Sequence, residues 1–368
     1  MGKYDYTGKT VYMGIDVHKK TYACVSVCAG EIVKKDTMPA SPLALINYIK
    51  NNFSGAIVET VYEAGFSGFH LHRKLIDAGV KNRIVHPGSI EVATRDRVKT
   101  DKRDAKKMAV QLSAGRLRGI YIPTLEQEAK RSASRLRNSI VKLRHQVGQK
   151  IKALLFTQGL IPMDDDTALS KRWLNQKIEE VEALNYPVGF YYTLKRYADK
   201  WLSFTNDLAE IKKEVLMMQS DEEKALLLIY ESAPGIGEIT ALKLKDELGD
   251  MQQFTSEKKL FNYLGFTPVE YSSGENVHQG HISRQGRAML RHIFVEAAWI
   301  AVRRDPQLNE IYKRLLIKRG SKRAIVGIAR RLAGRLRSCV RDGTLYEIKK
   351  EALSAESTDA INDCCVTS

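Results

Sequence analysis

Val11-Tyr-Met-Gly-Ile-Asp16-Val17 is the stretch on which the fold turns. A short, nearly continuous apolar run reads as a strand buried on both faces, here with a single acid near its end. Outward from it, residues 22–27 alternate apolar and polar, and residues 31–37 follow a turn at Ala29-Gly30. Together these three segments predict a strand meander. Residues 42–51 read as a helix with Ser41 as its N-cap. A strand over 56–62 ends at Ala64-Gly65, and a helix over 69–78 is stopped by Gly79. A short strand at 82–85 and a helix at 101–112 follow. Strands first, then strands alternating with helices, predict one mixed sheet covered by helices.

Past this α/β region the pattern becomes helical. Residues 125–158 form a long basic helix in which Leu136, Ile140, Leu143, Val147, Ile151 and Leu155 recur at three or four. Such a stripe suits a coiled coil. Gly159-Leu-Ile-Pro162 and Asp164-Asp-Asp166 break it, and a second helical stretch runs over 170–218 with an interruption at Asn185-Tyr-Pro187. Two such stretches predict an antiparallel arm that mediates self-association. The remainder reads as helices over 225–231, 240–248, 258–263, 286–303, 307–318 and 322–342, with a loop or hairpin over 265–285. The expected domains are 1–122, the arm 123–220, a C-terminal domain 221–350 and a polar, disordered tail 351–368.

The chain has 368 residues, 43% of them hydrophobic and 28% charged, ordinary values for a folded protein. Its 59 Lys and Arg exceed 43 Asp and Glu, giving a formal net charge of +16. A polyanion partner is the direct implication. No apolar run is long enough to span a bilayer, and the polar first residues do not read as a signal peptide. Five cysteines, two of them adjacent at 364 and 365, make no disulfide framework. Cys24 and Cys28 fall on one face of a strand and read as buried thiols. A reduced, cytoplasmic protein without a membrane partner is expected.

Four acids stand out against the basic background. Asp16 ends the first strand, Glu63 ends a later one in Val61-Tyr-Glu63-Ala-Gly65, and Lys99-Thr-Asp101-Lys-Arg-Asp104-Ala105 opens a helix. Asp101 and Asp104 are three apart and project from one helical face. Carboxylates converging from strand ends and a helix start can hold divalent metal against a phosphate backbone. The bland reading makes Asp101 and Asp104 a helix-capping pair and Asp16 a turn residue. Glu59, four residues before Glu63, shares its strand face, and spacing does not choose between them.

The C-terminal region carries phosphate-binding features. Pro234-Gly235-Ile236-Gly237 lies between two helices, as in a helix-hairpin-helix, with Lys243 and Lys245 beyond it. Arg284, Arg287 and Arg291, three and four apart, make a stripe suited to backbone phosphates. Each has its bland counterpart, a tight helix–helix turn and a solvated face. His278 and His281 have no cysteine near them, which argues against zinc, and no Walker A sequence predicts ATP use. A serine in Gly265-Phe-Thr-Pro268-Val-Glu-Tyr271-Ser272-Ser273-Gly274 could be a nucleophile, but by pattern alone it reads far more readily as a loop residue, and no base-partnered triad is visible.

Taken in order, Gly14-Ile-Asp16-Val-His-Lys19, Tyr62-Glu63-Ala-Gly65, Lys99-Thr-Asp101-Lys-Arg-Asp104-Ala105, Pro234-Gly-Ile-Gly237 and Gly265-Phe-Thr-Pro268 with Ser273-Gly274 and Ser283-Arg284-Gln-Gly286 resemble the DEDD transposases of a family of bacterial insertion sequences. The resemblance covers roughly residues 10–340. It implies an RNase-H-like N-terminal domain related to the Holliday-junction resolvase RuvC, and a C-terminal serine-bearing transposase domain. It implies that Asp16, Glu63, Asp101 and Asp104 are metal ligands for Mg²⁺, the motif context selecting Glu63 over Glu59. It places the nucleophile at Ser273 in a Tyr-x-Ser-Gly context, with Ser272 as the alternative. It further implies dimers or tetramers in which one subunit's metal site faces another's serine, and a structured non-coding guide RNA pairing with donor and target DNA.

The expected function is a site-specific DNA recombinase of an insertion sequence. Its rivals are a junction-type nuclease using metal-activated water and a catalytically inactive nucleic-acid-binding protein. A missing motif acid would favour the last, and none is missing.

Overall fold

The computed structural model describes residues 5–91, 100–270 and 279–348. The chain divides into two compact units, Met1–Ile122 and Pro123–Ser368.

The first unit is a five-stranded mixed sheet. Its strands are β1 (Thr10–Val17), β2 (Thr21–Cys28), β3 (Glu31–Pro39), β4 (Ile57–Glu63) and β5 (Lys81–Val85), in the order β3-β2-β1-β4-β5. The meander β1-β2-β3 is antiparallel, and β1, β4 and β5 run parallel. Ala29 and Gly30 both take positive φ, 51° and 83°, which closes the β2–β3 hairpin in two residues. The mixed sheet agrees with the RNase-H-like domain that the sequence resemblance implies.

The two faces of the sheet are covered differently. One carries α1 (Pro42–Asn52), capped by Ser41, and α2 (His70–Asp77). Met13, Ile15 and Tyr62 of the sheet bury there with Leu45, Ile49, Leu71 and Leu75. Cys24 and Cys28 belong to the same core, and burial pushes the Cys24 thiol up to about 12, so it is inert. The opposite face takes α3 (Asp101–Ser113), whose Met108 and Leu112 bury against Val61 and Val85.

Gly14 sets the depth of α3. An added Cβ there would lie 2.7 Å from the Ala109 amide nitrogen and closer still to the Ala105 carbonyl. Backbone meets backbone, and no flexible side chain can give way.

The second unit is helical. Its arm is made of α4 (Leu125–Phe156), α5 (Lys171–Ala183) and α6 (Val188–Met217). Positive φ at Asn185 and Pro187 as N-cap produce the expected break before α6. Trp201 meets Gly148 and Tyr186 reaches Gln158, so α4 and α6 run antiparallel. Ile151, Leu155, Leu174, Val181, Leu194 and Ala198 form the core of the arm. The inward stripe of α4 differs from the expected one. Its buried residues are Arg131, Ser134, Gly148, Ile151 and Leu155, whereas Leu136 and Leu143 are 51% and 43% exposed. The contacts of α4 are interrupted by polar positions, and the apolar recurrence in sequence straddles two faces.

A larger core joins α7 (Asp221–Glu231), α8 (Glu238–Leu248), α9 (Glu257–Leu264), α10 (Ala288–Arg304), α11 (Pro306–Arg319) and α12 (Ser321–Asp342). Between α9 and α10 stands a two-stranded hairpin, β6 (Pro268–Glu270) and β7 (Gln279–Ile282). The expected tail 351–368 lies outside the described residues.

α4 is fastened to α8 by buried polar groups. Arg131 donates to the carbonyls of Asp246 and Glu247 at 3.0 and 2.8 Å, satisfying the last turn of α8. Arg135 pairs with buried Glu247 at 2.8 Å, and Ser134 donates to Asp246. Among the described residues no helix is long and apolar enough to cross a membrane.

Gly14→Ala is expected to destabilise the protein by about 3 kcal/mol, the upper range for overpacking, because rigid backbone opposes the new methyl. A thermal melt checks this; a melting temperature equal to wild type would show that α3 can ride outward freely.

Candidate active site

Side-chain alternation decides where the acids point. Ile15 sits opposite Tyr62 in the parallel β1–β4 pair, and both face the α1–α2 core. Their neighbours Asp16 and Glu63 therefore end adjacent strands on the other face, the one α3 covers. Val61, two residues before Glu63, is buried against Met108 and Leu112 of α3.

α3 brings the other two acids to the same end. Thr100 is its N-cap, its hydroxyl accepting from the Arg103 amide. Asp101 and Asp104 occupy the first turn without doing the capping, so their carboxylates are free for other work. The close approach at Gly14 puts Ala105, next to Asp104, directly over β1.

His18 completes the arrangement. Its Nε2 lies 3.3 Å from Asp16 Oδ2 and 3.3 Å from Asp101 Oδ2. Asp16, His18 and Asp101 offer ligand atoms within 4.8 Å of one another. The His18 amide donates to the Thr21 carbonyl at 2.9 Å, which fixes the turn that carries the ring. Burial raises the Asp16 carboxyl above the usual carboxylate range; His18 opposes the shift, and the charges of Asp101 and Asp104 add to it. Asp104 also pairs with Lys107 at 3.4 Å. Glu63 and Asp104 are not part of the three-residue cluster. Sequence reasoning missed His18; the available signal was its place two residues after Asp16, where a strand repeats its face.

Glu59 and Glu63 are separated by their surroundings. Glu59 is held between Lys81 and Arg83 at 3.5 and 3.4 Å, a surface ion cluster. Glu63 makes no ion pair among the described residues and stands exposed at the strand end.

In the second unit, Ser272 and Ser273 lie outside the described residues, as does His278. The β6–β7 hairpin brackets their segment, and its base is firm. A Cβ on Gly286 would lie 2.5 Å from the Tyr263 carbonyl, and one on Gly265 2.6 Å from Arg291 Nη1. Arg284 takes a positive φ of 55° in the turn that follows β7. Arg284 and Arg287 are exposed, while Arg291 donates to the Leu264 carbonyl at 2.9 Å and caps α9. His281 is exposed on β7.

The α7–α8 turn divides its glycines. Gly235, at φ 83°, is pressed against α10, where a Cβ would lie 2.8 Å from Ala297 Cα. Gly237 is exposed, with open space about it. The lysines divide too. Lys245 is buried and pairs with Asp246 at 3.2 Å and Glu223 at 3.1 Å, so it is closed to nucleic acid. Lys243 is half-buried and makes no such pair.

Comparison with known proteins settles the family. A DEDD transposase family model of the IS110 type matches residues 13–158, and that of the transposase IS116/IS110/IS902 family matches residues 228–313. The Sinorhizobium fredii protein y4qE is 27% identical over 366 residues, covering 89% of this chain and 87% of that protein. The transposase for insertion sequence element IS1533 of Leptospira borgpetersenii is 28% identical over 304 residues, 79% and 85% of the two chains. That for IS1111A of Coxiella burnetii is 25% identical over 283 residues, 74% and 75%. The chain belongs to the IS110-type DEDD transposases. It is a DNA transposase, and its chemistry is phosphoryl transfer.

The acidic end of the transposase sheet fits the divalent ions that DEDD enzymes use. Asp16, Asp101 and Asp104 repel one another where Asp16 is partly desolvated. A hard cation is the natural counter-charge for such a set of oxygens.

Asp101→Asn is expected to lower divalent-dependent strand cleavage on the order of 100-fold or more, as for loss of one charge-stabilising group. A titration of Mg²⁺ against cleavage checks it. Asp16→Asn separates function from stability. An acid whose folded pKa is raised costs stability once pH exceeds the ordinary carboxylate range, and costs none well below it. In metal-free buffer at neutral pH this variant should melt no lower than wild type, any gain in melting temperature should vanish in acid, and with Mg²⁺ added it should lose cleavage. A large drop in melting temperature would make Asp16 a structural residue.

Proposed function

We propose that this transposase is Mg²⁺-dependent, uses Ser273 as nucleophile, and is guided to donor and target DNA by a structured non-coding RNA. The observation that carries the reading is the convergence of Asp16 and Asp101, with Asp104 close enough to bias Asp16, at one end of the sheet in a chain of net charge +16. Asp16, Glu63, Asp101 and Asp104 would hold the metal. Bound there, Mg²⁺ would neutralise the attacked phosphate and stabilise the leaving oxygen.

The protein's own groups do the rest. Ser273 exchanges one phosphate ester for another, so a phosphoserine–DNA link forms as a sugar hydroxyl is freed. Ester exchange conserves the bond and lets the second strand transfer run without another energy source. The α7–turn–α8 element acts as a helix-hairpin-helix, with Gly235 shaping the turn and Gly237 and Lys243 on the nucleic acid. Arg284, Arg287 and Arg291 stabilise the hairpin base and neutralise backbone phosphates. The guide RNA reading rests on the family resemblance and on the positive charge.

The active assembly is a dimer or tetramer. The exposed Leu136, Leu143 and Phe156 of α4 leave apolar surface that one antiparallel arm does not cover. Light scattering of the full chain, and of a variant with Leu136→Glu and Leu143→Glu, tests this. The variant should shift toward monomer; identical mass for both, with and without nucleic acid, removes the arm from assembly.

Ser273→Ala should abolish a covalent protein–DNA adduct and leave DNA binding nearly unchanged, since one hydroxyl adds little to affinity. Mass spectrometry of the trapped adduct decides. A link at Ser272 would move the nucleophile by one residue. Cleavage without any adduct would favour the nuclease reading, with water as nucleophile. Mixing Ser273→Ala with Asp16→Asn protein should restore activity if the site is composite between subunits.

A further inference from the structure

The inward stripe of α4 passes from one core to another, and between them it carries two arginines. Positions 134, 137, 141, 144, 148, 151 and 155 share this stripe. Ser134 is buried against α8, and Gly148, Ile151 and Leu155 are buried in the arm. Arg137 and Arg144 fill the interval, both half-buried.

Arg137 is poorly satisfied. Its Nε is buried and has no hydrogen-bond partner, and none of its nitrogens forms an ion pair among the described residues. The cations around it make matters worse. Burial holds the Arg137 guanidinium below its usual range, and Arg144 adds to the shift. Lys243 of α8 is lowered by burial and then by Arg137 itself. Arg144 lies over the Trp201 ring at 5.7 Å and makes no ion pair among the described residues. Nearer the start of α4 the arrangement is the opposite, where Arg131 and Arg135 of α4 and Lys245 of α8 are matched by Glu247 and Asp246 of α8 and Glu223 of α7. A part-buried cation without a counter-charge is costly, so three cations with no ion pair among the described residues, beside a charge-matched network, mark a place kept for an anion.

We infer that Arg137, Arg144 and Lys243 form a seat for the phosphate backbone of DNA where α4 crosses α8. The spacing selects the ligand. Arg137 and Arg144 are separated by two helical turns, about 10.5 Å at 1.5 Å per residue. One DNA strand carries about three phosphates over that length. A polyanion spans the seat, and a single free phosphate does not. Arg137 would meet a phosphate through the terminal nitrogens of its guanidinium, and Arg144 holds its guanidinium over the Trp201 ring. Both lie on a helix that the Arg131 and Arg135 contacts anchor, so the seat is preformed. The inference rests on α8 being a nucleic-acid element, and it adds α4 as the second wall.

Anisotropy of a labelled DNA duplex on the full chain, titrated with salt, tests the seat. Arg137→Gln, Arg144→Gln and Lys243→Gln should each reduce the log–log salt slope by about 0.9 and weaken binding several-fold at low salt. Arg137→Gln should melt no lower than wild type, because it removes a charge that nothing in the protein satisfies. Arg135→Gln, which strips Glu247 of its partner, should instead lower the melting temperature and keep the slope. Arg284→Gln separates this seat from the wider reading. A slope that falls for Arg284→Gln but not for Arg137→Gln or Lys243→Gln overturns the seat alone. A slope unchanged in all of them overturns both. A loss seen with duplex RNA and absent with duplex DNA assigns the seat to RNA and overturns the DNA assignment.

Discussion

The contact between the α3 backbone and β1 at Gly14 is the constraint on which the acidic end of the sheet depends. With no side chain at that position, Ala105 and Ala109 sit directly on the strand. Asp104, next to Ala105, and Asp101, one turn before it, are thereby carried to the level of Asp16. A helix standing off by the width of a methyl group would leave the acids of the strand and those of the helix too far apart to act on one ion. The apolar contacts of Met108 and Leu112 with Val61 and Val85 keep the helix pressed down.

That closeness has an electrostatic cost, which the surroundings spread out. Like charges meet at a partly desolvated place, and Asp16 responds with a raised pKa. His18, within 3.3 Å of two carboxylates, offsets part of the repulsion from the protein side. Strain of this kind is common where chemistry is done, since a site that is content when empty has little affinity to spare for an ion. The second unit handles charge in the opposite way at its interior. Arg131, Arg135 and Lys245 are drawn into the protein and matched, so that α4 is locked to α8. The unmatched cations next to them gain their meaning from this contrast.

The fold was legible where local rules are strong. The apolar run at 11–17, the turn at Ala29-Gly30, the Ser41 cap and the break before Pro187 follow from strand burial, positive-φ turns and helix punctuation, and each appears where expected. The four acids were legible as residues because strand ends and helix starts can be read locally. The family followed from the order of the motifs. The choice of Glu63 over Glu59 needs the motif context; what the structure adds is that Lys81 and Arg83 of β5 pair with Glu59.

Sequence by itself therefore determined the strands, helices, charge and family, because these depend on neighbours along the chain. Tertiary structure alone decided what each polar group faces. It turned Lys245 inward and left Lys243 without an ion pair among the described residues, though they are two residues apart on one helix. It placed Gly235 against Ala297 and Gly237 in the open. It rotated Leu136 and Leu143 outward and set Arg137 on the inner stripe of α4, because polar contacts with α8 fix that helix's rotation. It brought His18 to Asp101 across 83 residues of chain, a meeting that depends on how closely a helix lies on a strand. Which group meets which is a matter of packing distance and rotation, and neither is written in local pattern.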